Sequence, residues 1–352
     1  MARSLFEPTT LRRAIDRLGF VQADPIRAPA RAQDLTLRPR VIGYRAGDLE
    51  RLYAKLEIEE DFFVNYGFLP WAKQALMHPR LVRGRTGPKR RQRAQELLVF
   101  VRERGQAHPR EVDAHFAHGR VRNWFGGSSS ATTQLLDALH YRGLLRVAKR
   151  ESGIRVYAAR EQTPAAADAA ERLARLDALV DLAVATYAPL PTQSLSGLVS
   201  RLRYGAPQWR DGLRAALKRA KQRLARTRID GVDWYWPAEE TPASASQVQG
   251  NEVRLLAPFD PLVWDRRRFE AFWGWPYRFE AYTPPARRRL GYYALPMLWR
   301  NHVIGWGNLA VAEGRLKAEL GYVTGRAPRE RGFRRALDLE LERMAQFLGA
   351  AR

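Results

Sequence analysis

Gln22, Ala23 and Asp24 lie in a short run, GFVQADP, that reads as extended backbone broken by Pro25. In extended chain, residues i and i+2 share a face, so the amide of Gln22 and the carboxylate of Asp24 meet one small volume while Ala23 packs behind them. That shared face makes the two side chains a candidate catalytic pair. The same residues have an architectural reading, because Asp followed by Pro is also the pattern of a helix N-cap with proline in the first turn. Other chemistry has less to stand on. His115 and His118 are three apart, but no HExxH motif or carboxylate pattern completes a ligand set, so no metal is expected. Neither GxGxxG nor GxxxxGK[ST] occurs, and no nucleotide cofactor is expected. Gly126-Gly127-Ser128-Ser129-Ser130 lacks the phosphate-loop lysine; its simpler role is to cap the following helix, whose first amides can hold a phosphate.

The chain that must position these residues has 352 residues, 60 Lys+Arg against 37 Asp+Glu and a formal net charge of +23. With 45% hydrophobic residues and ten Trp it is too apolar to be disordered, so the charge sits on a folded surface and a polyanionic partner is expected. A membrane surface is the weaker alternative, since no long basic amphipathic helix with a bulky apolar face stands out. No run approaches the roughly 18 apolar residues of a spanning helix, and the first residues lack the apolar core of a signal peptide. Zero Cys excludes disulfides, thiolate metal sites and a cysteine nucleophile, and fits a reducing cytoplasm.

Along the chain, Thr9 or Thr10 caps a helix through Leu11, Ile15 and Leu18 that ends at Gly19, and Pro29 opens a second through Leu37. A third starts at Ala46 with Asp48 as its cap. From 93 to 160 the pattern is clearest. Three helices, the last beginning with stacked Ser/Thr capping candidates, precede LLRVAKR and IRVYAA, joined by Glu151, Ser152 and Gly153 as a tight hairpin. That is the order of a winged helix, whose third helix enters the major groove. An Ala-rich helix ends at Pro189 and Pro191, and a similar helix, helix, hairpin order then recurs around Asp230-Gly231. After the linker PAEETPASASQVQGN, YRFEAY and GYYALPML flank TPPARRRL as a hairpin tipped by Arg287, Arg288 and Arg289, and RGFRRALDLELERMAQFLG closes the chain as a helix. The expected fold class is therefore α+β: tandem winged-helix domains (helix-turn-helix with β-wing) and a β-rich C-terminal region. The divisions are a winged-helix-like region at 1–90, a central winged helix at 91–160, a helical connector at 161–191, a further winged helix at 192–240 and the C-terminal region at 252–352.

LGFVQADPIRAPARAQDLTLRPR, LLAPFDPLVWDRRRFEAFWGWPYRFEAY and PARRRLGYYALPML, in that order across nearly the whole chain, resemble the AlkZ/YcaQ-type DNA glycosylases, a family built from tandem winged helices. The family's catalytic motif is Gln-Φ-Gln or Gln-Φ-Asp, onto which Gln22-Ala23-Asp24 maps in the Gln-Φ-Asp form, with Ala23 smaller than the usual Φ. Two departures stand out. FFVNYGFLP has no His where the family often has Trp-x-His before Leu-Pro, and Gly305-Trp306-Gly307-Asn308 stands where an Arg and an Asp are common.

The resemblance implies hydrolysis of the N-glycosidic bond of alkylated purines, N7-alkylguanine above all, with unhooking of interstrand crosslinks in some members. Asp24 then stabilises the oxocarbenium-like sugar and deprotonates the water, while Gln22 orients it. No Lys lies near the motif to form a Schiff base, so a monofunctional glycosylase without cofactor is expected, acting as a monomer on alkylated or crosslinked double-stranded DNA in a cytoplasmic, nucleoid-associated setting. Charge and likeness together make Arg287, Arg288 and Arg289 DNA contacts, with Arg146, Lys149, Arg150 and Arg155 of the wing as backbone contacts. Arg27 and Arg31 are candidates for the target nucleotide's phosphate, or for salt bridges to Asp34 or Glu50. The same folds without chemistry would make a winged-helix transcriptional regulator, and dependence on Asp24 separates the two.

Overall fold

A computed structural model describes residues 4–81, 87–122, 127–241 and 250–352. Gly126 of the glycine-serine run and residues 242–249 of the linker lie outside the described residues. The chain forms two compact units, each gathered from separate stretches: residues 1–49, 181–198 and 221–352 in the first, and residues 50–180 and 199–220 in the second.

In the first unit, the helix Leu11–Leu18 is capped by Thr10, whose hydroxyl accepts the Arg13 N–H, and ends at Gly19 with φ +74°. The strand Val21–Gln22 follows, and the next helix, Ala32–Leu37, begins only after the proline-rich run 25–31. Pro29 therefore lies ahead of this helix rather than opening it. The C-terminal sheet is antiparallel in the order Val253–Leu255, Leu295–Trp299, His302–Ala312, Arg315–Tyr322. Its first strand is met by the helix Arg331–Leu348: buried Glu340 accepts the Leu255 N–H at 2.7 Å, which satisfies a donor on an edge strand. Buried ion pairs join the N-terminal stretch to this C-terminal part. Arg40 holds Asp260 through two N–O contacts of 2.7 and 3.0 Å, and Arg38 holds Glu340 at 2.5 Å. Two segments more than 200 residues apart in sequence thus share one core, with Leu5 packed among Leu256, Val263, Phe269, Tyr277 and Leu298.

The expected hairpin around Arg287–Arg289 is not formed. Leu295–Trp299 pairs instead with Val253–Leu255 and His302–Ala312, and residues 276–294 form a structured loop holding one 3-10 turn, Pro285–Arg287. Pro284 and Pro285 have no N–H to give a ladder. The Glu280 carboxylate, itself buried, takes the N–H groups of Arg289 and Leu290 at 2.8 and 2.7 Å, and the Tyr277 hydroxyl donates to the Ala294 carbonyl at 2.7 Å. Side chains thereby supply the partners that a second strand would have supplied.

The second unit carries the helices Pro88–Arg104, Pro109–Phe116 and Ala131–Tyr141, then the hairpin Leu145–Glu151 with Ile154–Ala159. Ser130 caps the third helix, accepting the N–H groups of Thr132 and Thr133, and Ser152 and Gly153 turn the hairpin at φ +50° and +87°. In the first unit, Asp230 and Gly231 turn the hairpin Ala225–Ile229 with Val232–Trp236 in the same way, at φ +49° and +76°. Asp48 is the first residue of the helix Asp48–Leu52 rather than its cap. Among the described residues, no helix is long and apolar enough to cross a membrane.

Candidate active site

Gln22 ends its strand at 5% exposure, and Asp24, two residues on, is half-buried. No helix starts at Pro25, so Asp24 does not act as the N-cap its sequence allows. Its Oδ1 accepts the Ile26 N–H at 2.9 Å in a local turn, and its backbone N–H reaches Oε1 of Gln33 at 3.3 Å. Among the described residues Oδ2 receives no hydrogen bond, and the buried Oε1 of Gln22 has no partner either. Burial raises the pKa of Asp24 and the Ile26 N–H partly offsets it. The carboxylate is thus a stronger base than one in water, with one oxygen anchored and one open.

Two tyrosines lie within the field of this carboxylate, and its charge adds to burial in raising both hydroxyl pKa values. Tyr282 is 80% exposed, while Tyr293 is 2% exposed and its hydroxyl has no hydrogen-bond partner among the described residues. Both rings meet Phe279 edge-on, at centroid distances of 6.0 and 5.2 Å. These tyrosines frame the loop of Arg287, Arg288 and Arg289. Arg287 and Arg289 are exposed, while Arg288 is half-buried, donating to the Thr283 carbonyl at 2.8 Å and lying 4.9 Å over the Tyr292 ring.

The departure at residues 305–308 has a physical explanation. Asn308 donates from Nδ2 to the Leu290 carbonyl at 2.7 Å, a bond an Asp carboxylate could not make. Gly291, at φ +112°, lets the loop approach it, since a β-carbon there would stand 2.4 Å from the Asn308 amide. Trp306 stacks on Trp275 at 5.7 Å with 18° between planes, extending the core where a charge would have needed a partner.

The other predicted contacts are distributed unevenly. Arg27 is exposed and Arg31 half-buried on the stretch that follows Asp24. In the second unit the wing cations are largely committed inside the protein. Arg150 pairs with buried Glu60 at 2.6 Å, Arg155 with Asp137 at 3.0 Å and Arg146 with Glu59 at 2.8 Å, whereas exposed Lys149 pairs with Glu151 at 2.8 Å. Burial raises the pKa of Glu59 to about 7 against the opposing pull of Arg146. Arg150 and Arg155, both half-buried, are thus each tied to an acidic partner within the second unit. His115 and His118 lie in a stack of rings with Phe100 and Phe116. Sequence reasoning missed Gln33, Tyr282, Tyr293 and Glu280. All four stand in or beside the runs that carry the resemblance, but only folding shows which hydroxyl or amide lacks a partner.

Gln22 Oε1 and Asp24 Oδ2 thus stay open among the described residues, on a chain of formal net charge +23. A family model described as DNA glycosylase AlkZ-like matches residues 15–347, and the chain belongs to the AlkZ-like DNA glycosylase family. Its structure is similar to that of Streptomyces sahachiroi DNA glycosylase AlkZ, with a TM-score of 0.64 at 15% identity over 100% of this chain and 95% of that one.

Proposed function

We propose that this glycosylase hydrolyses the N-glycosidic bond of N7-alkylated purines in double-stranded DNA, unhooks crosslinks formed through such bases, and is monofunctional, leaving an abasic site. The observation that carries the reading is the pair of open polar atoms, Asp24 Oδ2 and Gln22 Oε1, on one extended stretch. N7 alkylation makes guanine cationic, so the bond from C1′ to N9 breaks with its electron pair neutralising the purine, and no general acid is needed. The positive charge then lies on the sugar. Ionised Asp24 stabilises it and takes one proton from water as the water oxygen bonds to C1′, while Gln22 accepts a hydrogen bond from the other O–H, which stays on the new C1′ hydroxyl. Proton and electron pairs balance without a metal or organic cofactor. The helix-helix-hairpin groups within 91–160 and 192–240 serve as winged helices that track the duplex, and Arg287, Arg289, Arg27 and Arg31 contact phosphates.

The test uses a labelled duplex with one N7-methylguanine and a second duplex with a nitrogen-mustard crosslink, each followed by alkali. Wild type should give scission on both, and Asp24→Asn should remove it while DNA affinity persists. Scission indifferent to Asp24→Asn would sink the site assignment. Tight binding without scission on either duplex would sink the N7-alkylpurine reading.

A further inference from the structure

The loop between Trp275 and Leu295 uses its side chains in two ways. Some tie it together. The Glu280 carboxylate takes the N–H groups of Arg289 and Leu290 at 2.8 and 2.7 Å, and Arg288 Nε donates to the Thr283 carbonyl at 2.8 Å. These rungs join the limb that carries Tyr282 to the limb that carries Arg287 and Arg289. Other side chains face solvent unused. Arg278, Arg287 and Arg289 are exposed, and among the described residues their guanidiniums have no hydrogen bond, ion pair or ring contact. Tyr282 is 80% exposed, more than any other large hydrophobic side chain among the described residues. A lone exposed tyrosine is ordinary surface. This one is braced, because its ring meets Phe279 edge-on at 6.0 Å and Phe279 packs in turn against Phe259 and Tyr293 at 5.1 and 5.2 Å. A ring braced at one side and open elsewhere loses little freedom when a flat partner stacks on it. The unused guanidiniums on the same loop call for closely spaced negative charge, and nucleic acid offers that charge together with flat π faces.

We propose that Tyr282 stacks on a base at a distorted step of double-stranded DNA while Arg278, Arg287 and Arg289 hold nearby phosphates. The choice of DNA as the polyanion rests on the glycosylase reading. Placing a ring against a paired base costs unstacking, which an intact duplex demands in full and a step that already lacks a base does not. The tyrosine therefore sorts distorted from intact duplex, whereas the arginines, meeting phosphates alone, do not.

The test measures affinity, across a range of salt, for two labelled duplexes of one sequence, one intact and one carrying a tetrahydrofuran abasic analogue. Wild type should prefer the analogue. Tyr282→Ala should lose about tenfold on the analogue duplex, stay within about twofold on the intact one, and keep the salt slope and melting temperature of wild type. Tyr282→Phe keeps the ring and should match wild type. Arg278→Ala should weaken both duplexes alike and lower the salt slope by about 0.9. Tyr282→Ala binding both duplexes as wild type does would overturn the proposal, as would an equal loss on both, a lower melting temperature, or Tyr282→Phe as weak as Tyr282→Ala. An unchanged salt slope in Arg278→Ala would remove that arginine from the surface. Excision of N7-methylguanine is scored separately: wild type that prefers the analogue duplex but excises nothing ends the glycosylase reading and leaves the stacking one, and wild type that binds the two duplexes equally ends the stacking one.

Discussion

Asp24 in the first unit and Asp61 in the second are both shielded carboxylates, and their surroundings drive them in opposite directions. Asp61 is 1% exposed and saturated: Arg80 reaches Oδ1 at 2.5 Å, while His78 at 2.8 Å and Gln74 at 2.6 Å share Oδ2. Arg80 in turn donates to the carbonyls of Gly205, Tyr141 and Phe62. Burial alone would raise the Asp61 pKa, but Arg80 and the hydrogen bond from His78 outweigh it and hold the carboxyl well below its ordinary range. Asp24 has one anchored oxygen, a raised pKa and, among the described residues, no cation in hydrogen-bond contact. Folding thus uses the Asp61 carboxylate up and leaves that of Asp24 unspent. Perturbation in either direction is common in folded proteins, so the sign of the shift together with the open valence marks Asp24 as the candidate for chemistry.

The contrast is sharpest when both are made amides. Asp24→Asn should cost about 10³-fold or more in excision, since it removes both the base and the charge facing the sugar. Linkage gives the accompanying sign. A carboxyl whose pKa is raised on folding loses stability as pH rises through that pKa, so Asp24→Asn should be at least as stable as wild type at neutral pH. Asp61→Asn strands the buried charge of Arg80 and should cost about 3–5 kcal/mol in denaturant unfolding. Equal stability losses in the two variants would erase the distinction.

Acid should separate the regions next. Burial lowers the pKa of His140 to about 4 and that of His78 in the same direction, so each binds its proton less readily when folded. Their stabilising contribution is present above the unfolded histidine pKa, near 6.5, and disappears as pH falls through the folded values. For His140 the span corresponds to about 3 kcal/mol lost between roughly pH 6.5 and 4, which melting curves across that range would reveal. His140→Asn should flatten the dependence. Excision should decline on the acid side for a different reason, protonation of Asp24, and its limb should lie above that of an exposed aspartate.

Smaller effects test the loop beside Asp24. Asn308→Asp removes the donor to the Leu290 carbonyl and should lower stability by about 1–3 kcal/mol without abolishing DNA binding. Replacing both Arg287 and Arg289 with Ala should weaken duplex binding about tenfold and reduce the salt slope by about 0.9 per lost phosphate contact, leaving melting unchanged. Arg288→Ala should instead disturb the loop, because that guanidinium is tied to Thr283 and Tyr292.

Much of this was readable in advance, since local rules act over a few residues. Thr10 and Ser130 as caps, Gly19 as a stop, and Ser152-Gly153 and Asp230-Gly231 as turns follow from side-chain hydrogen bonding and positive φ alone. The extended spacing of Gln22 and Asp24, the cationic surface and the family's blocks of residues were equally plain in one dimension. Alternation misled in YRFEAY and GYYALPML, where Glu280 and two prolines redirect the backbone bonds that strands would need. The wing's ion pairs were not legible either, because nothing near Arg150 in sequence announces Glu60, 90 residues away. Which polar groups a protein satisfies internally depends on contacts between distant segments, and that accounting exists only in three dimensions. Residue order alone placed Gln22 and Asp24 on one face; packing decided that, among the described residues, Gln22 Oε1 and Asp24 Oδ2 would be left without partners.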